Sequence, residues 1–403
     1  MRLTVERLGH LGDGIAPGPV FVPMALPGEV VEGDVVDGRV AEPKIVTPSP
    51  DRVRPACPHY RACGGCSLMH ASDGFVAGWK ADVVHTALAA QGLDAPFRSV
   101  ITSPPQSRRR ATLSGRRTKK GALVGFHGRA SGTIVEIPGC QLLHPALMAA
   151  LPLLAEVTAL GASRKGEVAL TATVSEGGLD LSVSDGKPLD KSLFSKLAEL
   201  AERAGLARIV WNGEPVVTRS PAIQRFGLAR VVPPAGAFLQ ATGAGEAALV
   251  GAVTEAVGGA RRIADLFAGA GTFSLPLAGR AEVHAVEGEA AMLAALGAGW
   301  RRAEGLHRVT TEVRDLFRRP LLPDELKRFD AVVIDPPRAG AEAQTRELAG
   351  SGVPVIAAVS CNPVTFARDA RILTEAGFAI DWVQVVDQFR WSPHVELAAR
   401  FSR

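Results

Sequence analysis

The chain has 403 residues, 47% apolar and 21% charged, and a formal net charge of +4. That length exceeds one compact core and predicts about two to four domains, while the composition excludes disordered and fibrous classes. No run of about 18 apolar residues is present, which excludes a helical membrane span; the Met1-Arg2-Leu3-Thr4-Val5-Glu6 start lacks a signal-peptide stretch, so a cytoplasmic protein is expected.

Residues 1–50 are short valine-rich runs cut by Gly and Pro. Val20-Phe21-Val22 and Glu29-Val30-Val31 predict strands, and Pro27-Gly28 and Asp37-Gly38 predict turns, together a small antiparallel barrel. Pro48, Pro50 and Pro55 mark a linker. Residues 51–95 hold a cysteine cluster and a helix over about 73–91. The five cysteines are an odd number, which argues against a disulfide framework in a cytosolic chain. Cys57, Cys63 and Cys66 form an uneven triad that leaves Cys140 as a fourth thiolate. A thiolate-only, uneven set suits a 4Fe–4S cluster better than zinc, which favours paired knuckles or added histidines. His59 and His70 keep the zinc alternative open.

Residues 96–235 mix strand-like pieces such as Leu179-Asp180-Leu181-Ser182-Val183 with amphipathic stretches near 144–160 and 189–204. They carry no catalytic motif, which fits a substrate-binding module. Between Asp94 and Glu136 there is no acidic residue, yet nine basic ones: Arg98, Arg108, Arg109, Arg110, Arg116, Arg117, Lys119, Lys120 and Arg129. Such a stripe suits the phosphates of a nucleic acid, with Arg108, Arg109 and Arg110 its densest point. The alternative is a solvated basic face that binds nothing.

From 236 to 403 the texture changes. Apolar strands expected over 262–267, 282–287, 309–313, 330–334, 353–359 and 378–386 alternate with helices over 243–257, 272–279, 289–301, 341–350 and 364–376. That alternation predicts an α/β domain with a doubly wound parallel sheet. Asp265-Leu266-Phe267-Ala268-Gly269-Ala270-Gly271-Thr272 sets a glycine turn between strand and helix, where a nucleotide can approach the backbone. Glu287 ends the next strand, 22 positions after Asp265, suitably placed for ribose hydroxyls. Asp315 follows the third strand and Asp335 the fourth, at the same rim.

Ser360-Cys361-Asn362-Pro363 follows the next apolar run, and Pro363 suits the first turn of a helix. Cys361 therefore falls at a strand-to-helix corner, where a helix N-terminus would favour its thiolate; the alternative is a buried structural cysteine. Glu396, in His394-Val395-Glu396, lies 35 positions further on and is a candidate base opening a last strand-like run to Phe401.

Taken together, these residues resemble the bacterial uridine-C5 RNA methyltransferases that join an N-terminal TRAM domain, a 4Fe–4S cluster and a class I methyltransferase domain. The resemblance is strongest in 1–66 and 236–403. It implies S-adenosylmethionine as methyl donor, contacted by Gln240, Phe267, Thr272, Glu287, Asp315 and Asp335. It implies that Phe238 stacks on the target base and that Asp335 borders both cofactor and uracil. It implies that Cys361 adds to C6 of uracil and Glu396 removes the C5 proton, and that Cys57, Cys63, Cys66 and Cys140 hold the cluster. The substrate is then RNA, 23S ribosomal RNA ahead of transfer RNA, with no membrane and no obligate protein partner. A catalytically inactive iron–sulfur RNA-binding protein is the competing reading; it leaves Cys361 and Glu396 without a reason to coexist.

Overall fold

In the computed structural model, which describes residues 1–403, residues 2–47 form two small sheets around one apolar core. One sheet holds the strands Arg2–Thr4, Val30–Glu32 and Lys44–Thr47. The other holds Arg7–Leu8, Gly14–Ala16, Val20–Val22, Arg39–Val40 and Val35–Val36 in spatial order. Val5, Ala16, Val22, Ala25, Val31 and Val40 pack between them. Strands this short cannot stand alone, so the shared core holds the two sheets together.

The central part is a seven-stranded sheet, ordered Ile134–Glu136, Ala122–His127, Arg110–Arg117, Glu167–Ser175, Gly178–Ser184, Arg208–Trp211 and Glu214–Thr218. Only Gly178–Ser184 and Arg208–Trp211 run parallel, because the helix Lys191–Arg203 joins them as a crossover. That helix buries Leu193, Leu197, Leu200 and Ala201, one apolar stripe of helical period, and Asp190 caps it by accepting from the Leu193 N–H.

The C-terminal part carries an eight-stranded sheet. Its order is Val309–Val313, Glu282–Glu287, Arg262–Leu266, Ala331–Ile334, Val355–Ser360, Leu397–Ser402, Ala379–Asp387 and Ile101–Thr102. The first five are parallel, with helices such as Ala290–Arg302 and Glu342–Ala349 between them in sequence. The expected all-parallel sheet needs correction: Leu397–Ser402 runs antiparallel to both neighbours. Only residues 388–396 separate it from Ala379–Asp387, too few for a crossover helix, so the chain turns back on itself. The helix expected over 272–279 is reduced to Ser274–Leu277.

The expected 96–235 boundaries also shift. Ile101–Thr102 extends the C-terminal sheet beside Val386–Asp387. The hairpin Gln224–Phe226/Ala229–Val231 puts Phe226, Ala229 and Val231 into the C-terminal core. The helix Asp73–Ala89 packs Val84 and Leu88 into that same half of the molecule. No helix is long and apolar enough to cross a membrane.

Candidate active site

Register brings the singled-out residues to one rim. Leu266 lies beside Ile334, Ile334 beside Ala358, and Ser360 opposite Leu397. The residues just past these positions are Phe267, Asp335 and Cys361, with Glu396 immediately before Leu397. They leave adjacent strands at the same end of the sheet. Strand order reverses between Arg262–Leu266 and Ala331–Ile334, the switch point where open α/β sheets bind ligands. Across the rim the sequence-predicted groups run from Glu287 through Phe267 and Asp335 to Cys361 and Glu396.

On the nucleotide side, Phe267 adopts φ 62°, a left-handed conformation unusual for an aromatic residue, and leans against Phe317 with ring centroids 5.4 Å apart. Glu287 accepts the N–H groups of Gly269 at 3.0 Å and Glu289 at 2.9 Å, so the glycine turn is tied to the neighbouring strand. A carboxylate has about four acceptor sites, so this leaves room for two ribose hydroxyls. Asp315 is exposed and accepts the Phe317 N–H at 3.0 Å. Thr272 is half-buried in the turn. The structure adds Asp265, which sequence reading used only as a spacing marker. It is fully buried, Ser274 Oγ donates to its Oδ2 at 2.5 Å, and its Oδ1 has no partner. Burial pushes its carboxyl up to about 7.

On the chemistry side, Cys361 is half-buried at the corner between Val355–Ser360 and Pro363–Glu375, and Asn362 caps that helix by accepting from the Val364 N–H at 3.1 Å. The expectation of a favoured thiolate is overturned. Burial, and then the negative charges of Glu396 and Asp335, push the thiol up to about 11, against a smaller opposing pull from Arg338. Desolvation and two nearby carboxylates outweigh one helix terminus. Glu396 is itself buried; burial lifts its carboxyl to about 7, and donation from Gln388 pulls the other way. Asp335 is raised well above the ordinary carboxylate range by burial and by Glu396. These groups sense one another, which places them in one site.

Gln240 is buried, whereas Phe238, two residues earlier, is 66% exposed and free to stack. Sequence reading missed Gln388. Its side chain accepts the Ala241 N–H at 2.7 Å and donates to Gln240 Oε1 at 2.5 Å and Glu396 Oε2 at 3.0 Å. Its neighbours in space reveal it. Gly245 is required beside it, because a Cβ there would lie 2.5 Å from Gln388 Cβ.

The reading of Arg108, Arg109 and Arg110 as phosphate contacts is corrected. Arg109 pairs with Glu246 at 2.5 Å, and Arg110 donates to the carbonyls of Ala237 and Gly236 at 3.0 Å each. Arg108 donates to the Arg110 carbonyl at 3.1 Å and lies over Phe389. The side chains of Arg109 and Arg110 thus clamp residues 236–246, and Arg109 alone of the three makes an ion pair. Within the stripe, Arg98 pairs with Glu255, Arg116 with Glu167, and Arg129 donates to the carbonyls of Tyr60 and Cys66. Arg117, Lys119 and Lys120, around the turn of the hairpin Arg110–Arg117/Ala122–His127, are exposed and make no ion pair.

Cys57, Cys63, Cys66 and Cys140 line one small pocket together with Tyr60, Met69, Phe126, Ile137 and Leu142. Gly65 and Leu142 donate backbone N–H groups to Cys63 Sγ and Cys140 Sγ, each at 3.4 Å. Burial and the other three thiols push Cys66 up to about 12. Neither histidine lines this pocket: His59 Nε2 accepts the Gly139 N–H at 3.1 Å, and His70 Nδ1 meets the Tyr60 hydroxyl at 2.6 Å. No group of three or more His, Cys, Asp or Glu side chains is arranged to hold a metal ion.

Comparison with known proteins adds four findings. The family model described as tRNA (Uracil-5-)-methyltransferase matches residues 299–403. An uncharacterized RNA methyltransferase of Brucella suis biovar 1 is 44% identical over 401 residues, covering 99% of this chain and 97% of the relative. The 23S rRNA (uracil(1939)-C(5))-methyltransferase RlmD of Halomonas elongata is 34% identical over 438 residues, covering 98% of this chain and 88% of the relative. Among solved structures, the Pyrococcus abyssi tRNA (uracil-54, C5)-methyltransferase in complex with S-adenosyl-L-homocysteine matches in fold with TM-score 0.79. It is 23% identical and covers 100% of this chain and 99% of its own.

Proposed function

The chain belongs to the RNA uracil-C5 methyltransferase family, and on that premise we propose that Cys361 is the nucleophile and Glu396 the base in methylation of one uridine, in 23S ribosomal RNA. The observation that carries the reading is the meeting of Cys361, Asp335 and Glu396 at adjacent strand ends, beside the nucleotide-side acids. C5 of uracil is a poor nucleophile by itself. Addition of the Cys361 sulfur to C6 shifts the ring electrons towards O4 and makes C5 an enolate carbon. S-adenosylmethionine supplies the electrophilic methyl group on a sulfonium, whose positive charge favours the thiolate of Cys361 over the thiol. Gln240, Phe267, Thr272, Glu287, Asp315 and Asp335 line the cofactor side, Asp335 also borders the base, and Phe238 stacks on it.

RNA carrying 5-fluorouridine tests the covalent step. The C5 fluorine cannot leave as a proton does, so elimination stops after methyl transfer. The enzyme with methyl donor is expected to form an SDS-stable complex with that RNA; absence of the complex would overturn the reading. The 23S assignment follows the substrate of the 34%-identical relative. Mapping 5-methyluridine in ribosomal and transfer RNA from a deletion strain checks it, loss from transfer RNA alone being the contrary result.

Residues 2–47 are proposed as the TRAM-like RNA-binding element, and the turn with Arg117, Lys119 and Lys120 as the phosphate contact. Replacing the three cations by alanine should reduce the slope of log affinity against log salt by about 2, since each phosphate contact on single-stranded RNA contributes about 0.7. Titration at several salt concentrations checks this; an unchanged slope rejects the contact.

A 4Fe–4S cluster is proposed for Cys57, Cys63, Cys66 and Cys140. The set is all thiol, shares one pocket, and receives N–H···S bonds of the kind that support iron–sulfur ligation. The group would cross-link 57–66 to the region of Cys140 rather than take part in methylation. Anaerobically purified protein should contain about four iron and four sulfide per chain; stoichiometric zinc would overturn the assignment.

A further inference from the structure

The hydrogen bonds around Gln388 have only one consistent polarity. The Ala241 backbone N–H can only donate, so the Gln388 atom 2.7 Å from it is the carbonyl oxygen. The other end is then the amide nitrogen, with two hydrogens and two acceptors in reach: Gln240 Oε1 at 2.5 Å and Glu396 Oε2 at 3.0 Å. Gln388 is 1% exposed, Gln240 3% and Glu396 3%, so no water competes for these bonds. With its oxygen occupied, Gln240 presents its own amide nitrogen, a donor, to whatever ligand meets it. Glu396 keeps Oε1 free of any partner in the chain. The backbone is anchored on both sides of the glutamine. Asp387 is held by Lys80, the Phe389 carbonyl accepts from Lys80 Nζ at 3.2 Å, and the Val386 N–H donates to the Glu396 carbonyl at 2.8 Å.

We propose that Gln388 is the positioning residue for the proton-abstraction step, holding one oxygen of Glu396 so that the other faces C5, and tying the base to Gln240. This rests on the reading of Glu396 as base. In that step the Glu396 carboxylate takes the C5 proton. The C–H electron pair becomes the C5–C6 double bond, the C6–S bond breaks, and Cys361 leaves as thiolate. Attack and methyl transfer precede it and do not need Gln388. Loss of the donor therefore slows elimination selectively.

Two variants separate this from a packing role. Gln388→Met keeps the length of the side chain but offers neither donor; Gln388→Leu removes the same polar contacts with a shorter side chain. With ordinary uridine RNA and labelled methyl donor, both should accumulate a methylated, SDS-stable enzyme–RNA adduct. Their kcat should fall about 10- to 100-fold while the KM for RNA stays within about twofold. A kcat within twofold of wild type overturns the inference. So does a reduced kcat without adduct, or a loss carried by KM. Wild-type enzyme run beside them on 5-fluorouridine RNA keeps the two failures apart. If it forms no adduct, the covalent reading itself fails; if it does while the variants behave as wild type, only the role of Gln388 falls.

Discussion

Cys361→Ala is expected to lower turnover by at least about 10³-fold and to eliminate the adduct with 5-fluorouridine RNA. Without addition at C6 the target carbon has no electron pair to offer, and no neighbouring group can replace the sulfur. Ser360 is buried and its hydroxyl is engaged with Asn362, donating to the carbonyl and accepting the N–H, both at 3.2 Å. Affinity for the methyl donor should stay within about twofold, because its proposed contacts are Gln240 and residues at or just past the ends of the strands closing at Leu266, Glu287, Val313 and Ile334, not Cys361. Single-turnover methylation with equilibrium binding of the donor checks both. A loss below about tenfold would contradict a covalent step.

Lys80→Met should cost about 3–5 kcal/mol of stability, read as a fall in the chemical unfolding midpoint. Lys80 Nζ lies 2.5 Å from Asp387 Oδ1, with side chains 0% and 1% exposed. Burial draws the lysine down and the aspartate up, and each opposes that shift in the other. Removing the ammonium strands a carboxylate in the interior, which costs more than the pair was worth. Lys80→Met with Asp387→Leu should therefore recover most of the loss. A single variant within about 1 kcal/mol of wild type would show that Asp387 is not desolvated as described. Because Gln388 follows Asp387 directly, the single variant should also impair elimination.

Local pattern carried far into the C-terminal half. The strands Glu282–Glu287 and Val309–Val313 coincide with their expected spans, and Gly243–Ala256 and Pro363–Glu375 lie within one residue of theirs. Alternating apolar runs and turn residues are short-range signals, and a parallel sheet needs little more. The candidate acids, the thiol and the four cysteines could be singled out for a related reason. Glycine turns, strand ends and cysteine spacings are written in a few consecutive residues.

The basic stripe misled because charge density in sequence says nothing of what waits in space. Glu246 and the carbonyls of Gly236 and Ala237 lie 126 to 137 positions beyond the arginines they engage. Gln388 went unnoticed because its partners, Gln240 and Glu396, are 148 and 8 positions away and meet only through the turn after Asp387.

The sequence by itself determined the class of fold, the inventory of reactive groups and the rim at which they end, since these depend on local periodicity and chemistry. Tertiary structure alone decided which groups are free, which are spent, and how acidic each is. Register, burial and long-range pairing set the electrostatics, and those turned two arginines into a clamp, an expected thiolate into a thiol pushed up to about 11, and an unremarked glutamine into a donor to Glu396.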